Sequence, residues 1–255
     1  MSIKTVYELL ERCREKHGNF PPTDLYNEGW MLRLVLEWLS RHPGIGGPLA
    51  FAPSDRWYCE ALLPTAFRPD FRGDPLSEAR THADGVIGDF QIGADRKGDL
   101  TALDGASRLL IVEAKMNSKL SSGVKNAPFF NQAARNVACL AEVMAARNAR
   151  LTAGHELGFF VLAPRTQIEA GVFRNQLDRE HLRQTVQRRV SQYEDRDGDG
   201  FTKRKEWFET AFEPTLAMAN IQEIAWEDVL DMVAGTGSEA EQDLKAFYDD
   251  CKRFN

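Results

Sequence analysis

The chain lacks any pair of cysteines close enough in sequence to clamp a metal or a cluster. Its four, Cys13, Cys59, Cys139 and Cys251, are scattered with no Cys-x-x-Cys pattern. That argues against a zinc or iron–sulfur centre and for reduced thiols in a core. No apolar run approaches the roughly 20 residues that span a bilayer, and residues 1–14 carry acidic side chains with no signal-peptide pattern. A soluble, cytoplasmic protein without a membrane partner is expected. Positive charge is also short, because 32 Lys and Arg face 38 Asp and Glu, for a net charge of −6. A surface that wraps a polyanion is excluded, so any such contact has to be local. There is no internal repeat, and 255 residues suit one domain with additions rather than two equal halves.

What is present concentrates in one run. Lys97-Gly98-Asp99-Leu100 leads, after a turn at Asp104-Gly105, into Leu109-Leu110-Ile111-Val112-Glu113-Ala114-Lys115. The second segment is apolar on both faces, as in a central strand of a covered sheet. Side chains alternate along a strand, so Glu113 and Lys115 share a face. An odd loop at 105–107 would set Asp99 across from Glu113, with Cβ atoms about 5 Å apart, whereas an even loop would flip it away. Two carboxylates that close repel, so one takes a proton or a cation binds between them. All-oxygen ligands favour Mg²⁺ or Mn²⁺. Such an ion beside a phosphodiester, with Lys115 orienting water or steadying negative charge, makes a hydrolysis site. The plainer alternative is a strand-end ion pair and a turn aspartate.

These residues resemble the PD-(D/E)xK phosphodiesterase superfamily, with its restriction-endonuclease-like fold, over roughly residues 25–164. The resemblance implies an α/β core running helix, three-stranded antiparallel meander, helix, strand, in a mixed sheet flanked by helices. It implies a metal held by Asp99 and Glu113, assisted by Glu28 and the Ala114 carbonyl, with Lys115 serving the water. Gly98 stands where the superfamily usually has proline. The resemblance carries reaction class better than substrate. It implies a nucleic-acid partner, DNA favoured over RNA, and a role in defence, restriction or repair. A homodimer remains open.

The flanking helices add candidates. Residues 25–39 read as an apolar helix in which Glu28 shares the face of Met31, Leu32, Val35 and Leu39. That is a carboxylate on an inward stripe; the competing account is a stripe-edge glutamate capped by an arginine. Residues 128–147 read as a second helix, with Gln132 and Asn136 one turn apart beside its apolar stripe. They are placed to touch the lysine, a water or nucleic acid, or are simply exposed amides. Lys119 and Lys125 lie in the following-strand loop 117–127, placed for phosphate or merely solvated.

The expected organisation is a nuclease-like core at 1–174 with an insertion at 42–82, then a mainly helical extension at 175–255 with one further strand near 221–225. Residues 84–92 read as the first core strand, Asp89 and Asp95 being extra acids or turn residues, and residues 157–162 as the strand completing the fold. Ser238 and Glu241 read as a capping box on the last helix. Asp195, Asp197, Asp199, Gly200 and Glu206 match positions one, three, five, six and twelve of an EF-hand loop, a possible Ca²⁺ site, although Thr202 and Lys203 depart from the pattern. Residues 179–189 with Lys203-Arg204-Lys205 form the densest basic cluster, read as a phosphate surface or a solvated helix face. A catalytically silent nucleic-acid- or protein-binding module is the alternative to a nuclease. Its distinguishing sign would be Asp99 and Glu113 failing to converge. A calcium-regulated scaffold is the third reading.

Overall fold

The computed structural model describes residues 20–94, 97–147, 151–196, 198–237 and 240–255, with Thr5, Leu10 and Arg12. Cys13, Asp95, Asp197, Ser238 and the side chain of Glu241 lie outside the described residues. Helix α1, Glu28–Ser40, begins where Asn27 accepts the Trp30 N–H at 3.0 Å, satisfying a donor that a helix start leaves open. Met31, Leu32, Val35, Leu36 and Leu39 are fully buried from its inner face, each contributing about 1.5–3 kcal/mol relative to exposure.

Five strands form a mixed sheet in the order β1 (Arg56–Leu63), β2 (Thr81–Gly88), β5 (Arg108–Ala114), β6 (Glu156–Ala163), β7 (Asn220–Ala225). Between β2 and β5, β3 (Phe90–Ile92) and β4 (Leu100–Ala102) pair only with each other as a separate antiparallel ribbon. The pairs β1–β2 and β2–β5 are antiparallel, whereas β5–β6 and β6–β7 are parallel. Helix α2, Gln132–Ala145, makes the crossover from β5 to β6 and starts at Asn131, which accepts the Ala134 N–H. The chain therefore runs helix, three antiparallel strands, helix, strand, with one more strand at the edge.

Helices cover both faces of the sheet. Leu109 and Ile111 of β5 pack into the core that holds Phe130, Ala134 and Val137, whereas Leu110, Val112 and Ala114 pack into the one with α1. All seven residues of β5 are buried, as its unbroken apolar run requires of a central strand. On the α2 side lie α3 (Arg179–Ser191), α4 (Gly200–Trp207), a π-helical turn and α5 (Glu213–Met218), through Leu182, Val186 and Phe212. On the α1 side lie α6 (Trp226–Ala234) and α7 (Ala240–Phe254), through Trp226, Val229 and Tyr248. Among the described residues, no helix is long and apolar enough to cross a membrane.

The aromatic stretch at 57–63, a strand candidate within the expected insertion at 42–82, is a strand: β1, at the sheet edge and paired along β2. One expectation about the strands is overturned. The Asp99 segment is not the strand beside β5: β4 belongs to the small ribbon, and Asp99 bridges Leu62 of β1, two strands away from β5. The cause is an excursion that starts at Gly88. There φ is +136°, and an added Cβ would sit 2.2 Å from the Arg108 carbonyl oxygen. Asp89 then ties the base of the excursion, its carboxylate accepting the Ser107 and Arg108 N–H groups at 3.1 and 3.3 Å. So Asp89 is a turn residue. Gly88→Ala is expected to lower stability by about 3 kcal/mol, from backbone strain plus the forced shift of β5; urea unfolding measures it, and an unchanged midpoint would show that the junction tolerates a side chain.

Candidate active site

The β2–β5 register, extended one residue beyond Gly85↔Val112, sets Asp84 opposite Glu113. Asp84 Oδ2 accepts the Ala114 N–H at 2.9 Å and lies 3.8 Å from Lys115 Nζ. Lys115 Nζ donates to Glu113 Oε1 at 2.5 Å. From α2, Gln132 Nε2 donates to the same oxygen and Asn136 Nδ2 donates to Glu113 Oε2 at 3.4 Å. Five polar side chains from two strands and one helix thus share one pocket at the end of β5. Glu113 has no exposed surface, whereas the Asp84 side chain is 27% exposed; solvent reaches the site past Asp84.

The backbone under the site is held from both sides. The Lys115 N–H donates to the Leu162 carbonyl at 2.8 Å, and the buried Trp226 indole donates to the Lys115 carbonyl at 2.9 Å. Trp226 belongs to the C-terminal part, so the extension helps to position a residue of the core. Opposite Asp84, Glu60 of β1 has φ +59° between the pairs Cys59↔Gly85 and Ala61↔Ala83. A left-handed non-glycine residue costs about 1–3 kcal/mol, and such strain gathers at working sites.

Electrostatics follow from burial. Desolvation, followed by the charge of Asp84, pushes the Glu113 carboxyl up from 4.5 to about 8. Burial pulls the Lys115 ammonium down, but Glu113 and Asp84 outweigh it and the net shift is upward, with a weaker pull from Glu28 on α1. The folded protein therefore keeps a proton on Glu113 that the unfolded chain releases. Its contribution to stability is full below pH 4.5 and is lost as pH rises through about 8. In chelator, wild type is expected to lose melting temperature relative to Glu113→Gln across that window. Parallel melting curves would show instead that Glu113 stays charged throughout.

The candidates named from the sequence fall into two groups. Glu113, Lys115, Gln132 and Asn136 meet, with the Ala114 backbone beside them and half-buried Glu28 near Lys115. Asp99 does not join them: it is buried and ion-paired with Arg80 at 2.8 Å. Asp84 takes the place expected of it. Asp84 is the sole acid in the sequence stretch 81–88, whose Ala83, Val86 and Ile87 mark a strand; that was the available signal, masked by a nearer aspartate. Lys119 and Lys125 are exposed and form no ion pair with a carboxylate among the described residues.

The calcium loop is also corrected. Helix α4 starts at Gly200, so the second half of the twelve-residue segment is helical and exposed Glu206 points from a helix instead of closing a loop. Asp199 pairs with Lys203 at 2.7 Å, and exposed Asp195 belongs to a turn. The basic cluster is divided: Arg189 is buried against Glu78 and Arg204 against Asp70, Arg183 pairs with Glu213 and Lys203 with Asp199, whereas Arg188 and Lys205 are exposed.

Two carboxylates, one raised by burial and then by its neighbour's charge, are a hard oxygen donor set that a small divalent cation would relieve, so Asp84 and Glu113 fit Mg²⁺ or Mn²⁺. Among the described residues no group of three or more His, Cys, Asp or Glu is assembled for a metal, which leaves this pair with backbone and water oxygens as the donors. Compared with protein families, curated proteins and solved structures, the chain matches none.

Proposed function

We propose that the chain is a Mg²⁺- or Mn²⁺-dependent phosphodiesterase acting on nucleic acid, with Asp84, Glu113 and Lys115 at its centre. The observation that supports this most is the convergence of Asp84, Glu113 and Lys115, braced by Gln132 from the crossover helix. The order helix, three antiparallel strands, helix, strand agrees with a restriction-endonuclease-like core. A bound divalent ion would polarise the phosphodiester and lower the pKa of an attacking water. Asp84 and Glu113 would hold it, and Gln132 and Asn136 fix Glu113 so that its oxygens do not turn away. Lys115, tied at its own N–H and carbonyl, presents an ammonium where negative charge develops on phosphate. Its rigid backbone supplies the preorganisation.

Cleavage of single- and double-stranded DNA and RNA by wild type and Lys115→Ala, in Mg²⁺, Mn²⁺ or EDTA, tests this. Metal-dependent cleavage that falls by about 10²–10³-fold in the variant is expected. Equal cleavage by both proteins would assign the activity to a contaminant. A silent binding module is the competing reading, favoured by the separation of Asp99 from Glu113, and it predicts nucleic-acid binding with no metal-dependent cleavage at all.

A further inference from the structure

A pocket of about 230 Å³ opens beside the site, lined by Ser77, Glu78, Arg80, Lys125, Asn126 and Arg135. Its charges are unequal. Arg80 is matched by Asp99 at 2.8 Å, and Glu78 by Arg189 at 2.9 Å. Lys125 and Arg135 form no direct ion pair with a carboxylate among the described residues, although the Arg135 charge acts through space on Glu78, so the lining carries more positive than negative charge in a chain of net charge −6. Arg135 Nε is buried with no hydrogen-bond partner, while its Nη2 donates to Ser121 Oγ at 3.0 Å. The Ser121 N–H donates to Gln132 Oε1 at 3.0 Å, and Gln132 Nε2 donates to Glu113. One hydrogen-bonded chain thus runs from the pocket to the buried carboxylate.

We infer that this pocket is a phosphate subsite, resting on the nuclease reading above, which takes an internal phosphodiester of the bound strand next to the one at Asp84 and Glu113. Lys125 supplies an exposed ammonium and Arg135 a half-buried guanidinium, the two group types that recognise phosphate oxygens. The Asn126 amide donates to the Ser77 carbonyl at 3.0 Å and fixes the pocket's rim. Through Ser121 and Gln132, a phosphate held here also steadies Glu113, so substrate position and carboxylate orientation are set together.

The test is binding of a fluorescein-labelled single-stranded oligodeoxynucleotide, by anisotropy in EDTA across a salt series, with 5′-phosphorylated and 5′-hydroxyl forms. Lys125→Ala and Arg135→Gln are each expected to raise Kd about tenfold and to flatten the log–log salt slope by about 0.7. Lys125→Arg is expected to restore both, and the two 5′ forms to bind alike. Variants with wild-type Kd and slope, a wild type that binds no oligonucleotide, or preference for the 5′-phosphorylated form would each overturn the assignment. Glu113→Gln separates the two ideas: it is expected to keep binding and lose cleavage. Lys125-dependent binding by a wild type that cleaves nothing would leave the subsite standing and remove the hydrolytic reading.

Discussion

Asp84→Asn is expected to lower kcat by about 10³-fold, the loss of several kcal/mol of charge stabilisation at the reacting phosphate, while Asp99→Asn keeps wild-type kcat. The two substitutions remove the same charge, so place alone separates them. Asp84 shares its surroundings with Glu113 and Lys115, and an asparagine there still accepts the Ala114 N–H. Removing its charge relieves the repulsion that adds to burial in raising Glu113 and gives up an attraction to Lys115, opposing effects that leave Asp84→Asn folded. Asp99 is buried against Arg80, and its replacement leaves that arginine without its partner. The cost of Asp99→Asn therefore falls on melting temperature and not on turnover. Steady-state kinetics beside thermal melts read both quantities; a large kcat loss in Asp99→Asn with Asp84→Asn active would reverse the assignment.

The second large effect concerns the buried Arg189–Glu78 pair. Arg189 is fully buried, donates to Glu78 at 2.9 Å, to the Leu76 carbonyl and to Gln192, and sits over the rings of Phe67 and Tyr193. Burial pushes the Glu78 carboxyl up despite this arginine, so the pair is balanced and little more. Arg189→Met is expected to cost about 3–5 kcal/mol, because Glu78 is left charged in the core. For a chain of this size that is roughly a 10 °C fall in melting temperature. Adding Glu78→Gln should recover much of it, since replacing both members of a buried pair costs far less than removing one. A single variant that melts like wild type would mean that water reaches Glu78.

How far the sequence could be read depends on which forces decide each element. Residues 109–115 were legible because an apolar run ending in charges has few other uses, and every residue of β5 up to Ala114 is buried. Glu113 and Lys115 share a face by alternation alone, and Gln132 and Asn136 share one by helical spacing. The mixed sheet flanked by helices came from the resemblance those residues carry, while apolar patterns marked its central strand and flanking helices. Asp84 was not legible, because register is set by a tertiary choice: whether the chain turns straight from one strand into the next or makes an excursion. Gly88, with a φ that favours glycine, and the Asp89 clamp decide that, and neither has a periodicity. The same limit explains the acidic loop at 195–206, where correct spacing says nothing about helix α4 beginning at Gly200. The arginines of α3 look like a surface in sequence, yet Arg189 faces inward because Glu78, 111 residues away, neutralises it.

The most direct measurement is calorimetric titration of Mn²⁺ into wild type, Asp84→Asn, Glu113→Gln and Asp99→Asn. One ion per wild-type chain is predicted, retained in Asp99→Asn and lost in Asp84→Asn and Glu113→Gln. Binding unchanged by the substitutions at positions 84 and 113, or absent from wild type, would contradict a metal centre on these two strands.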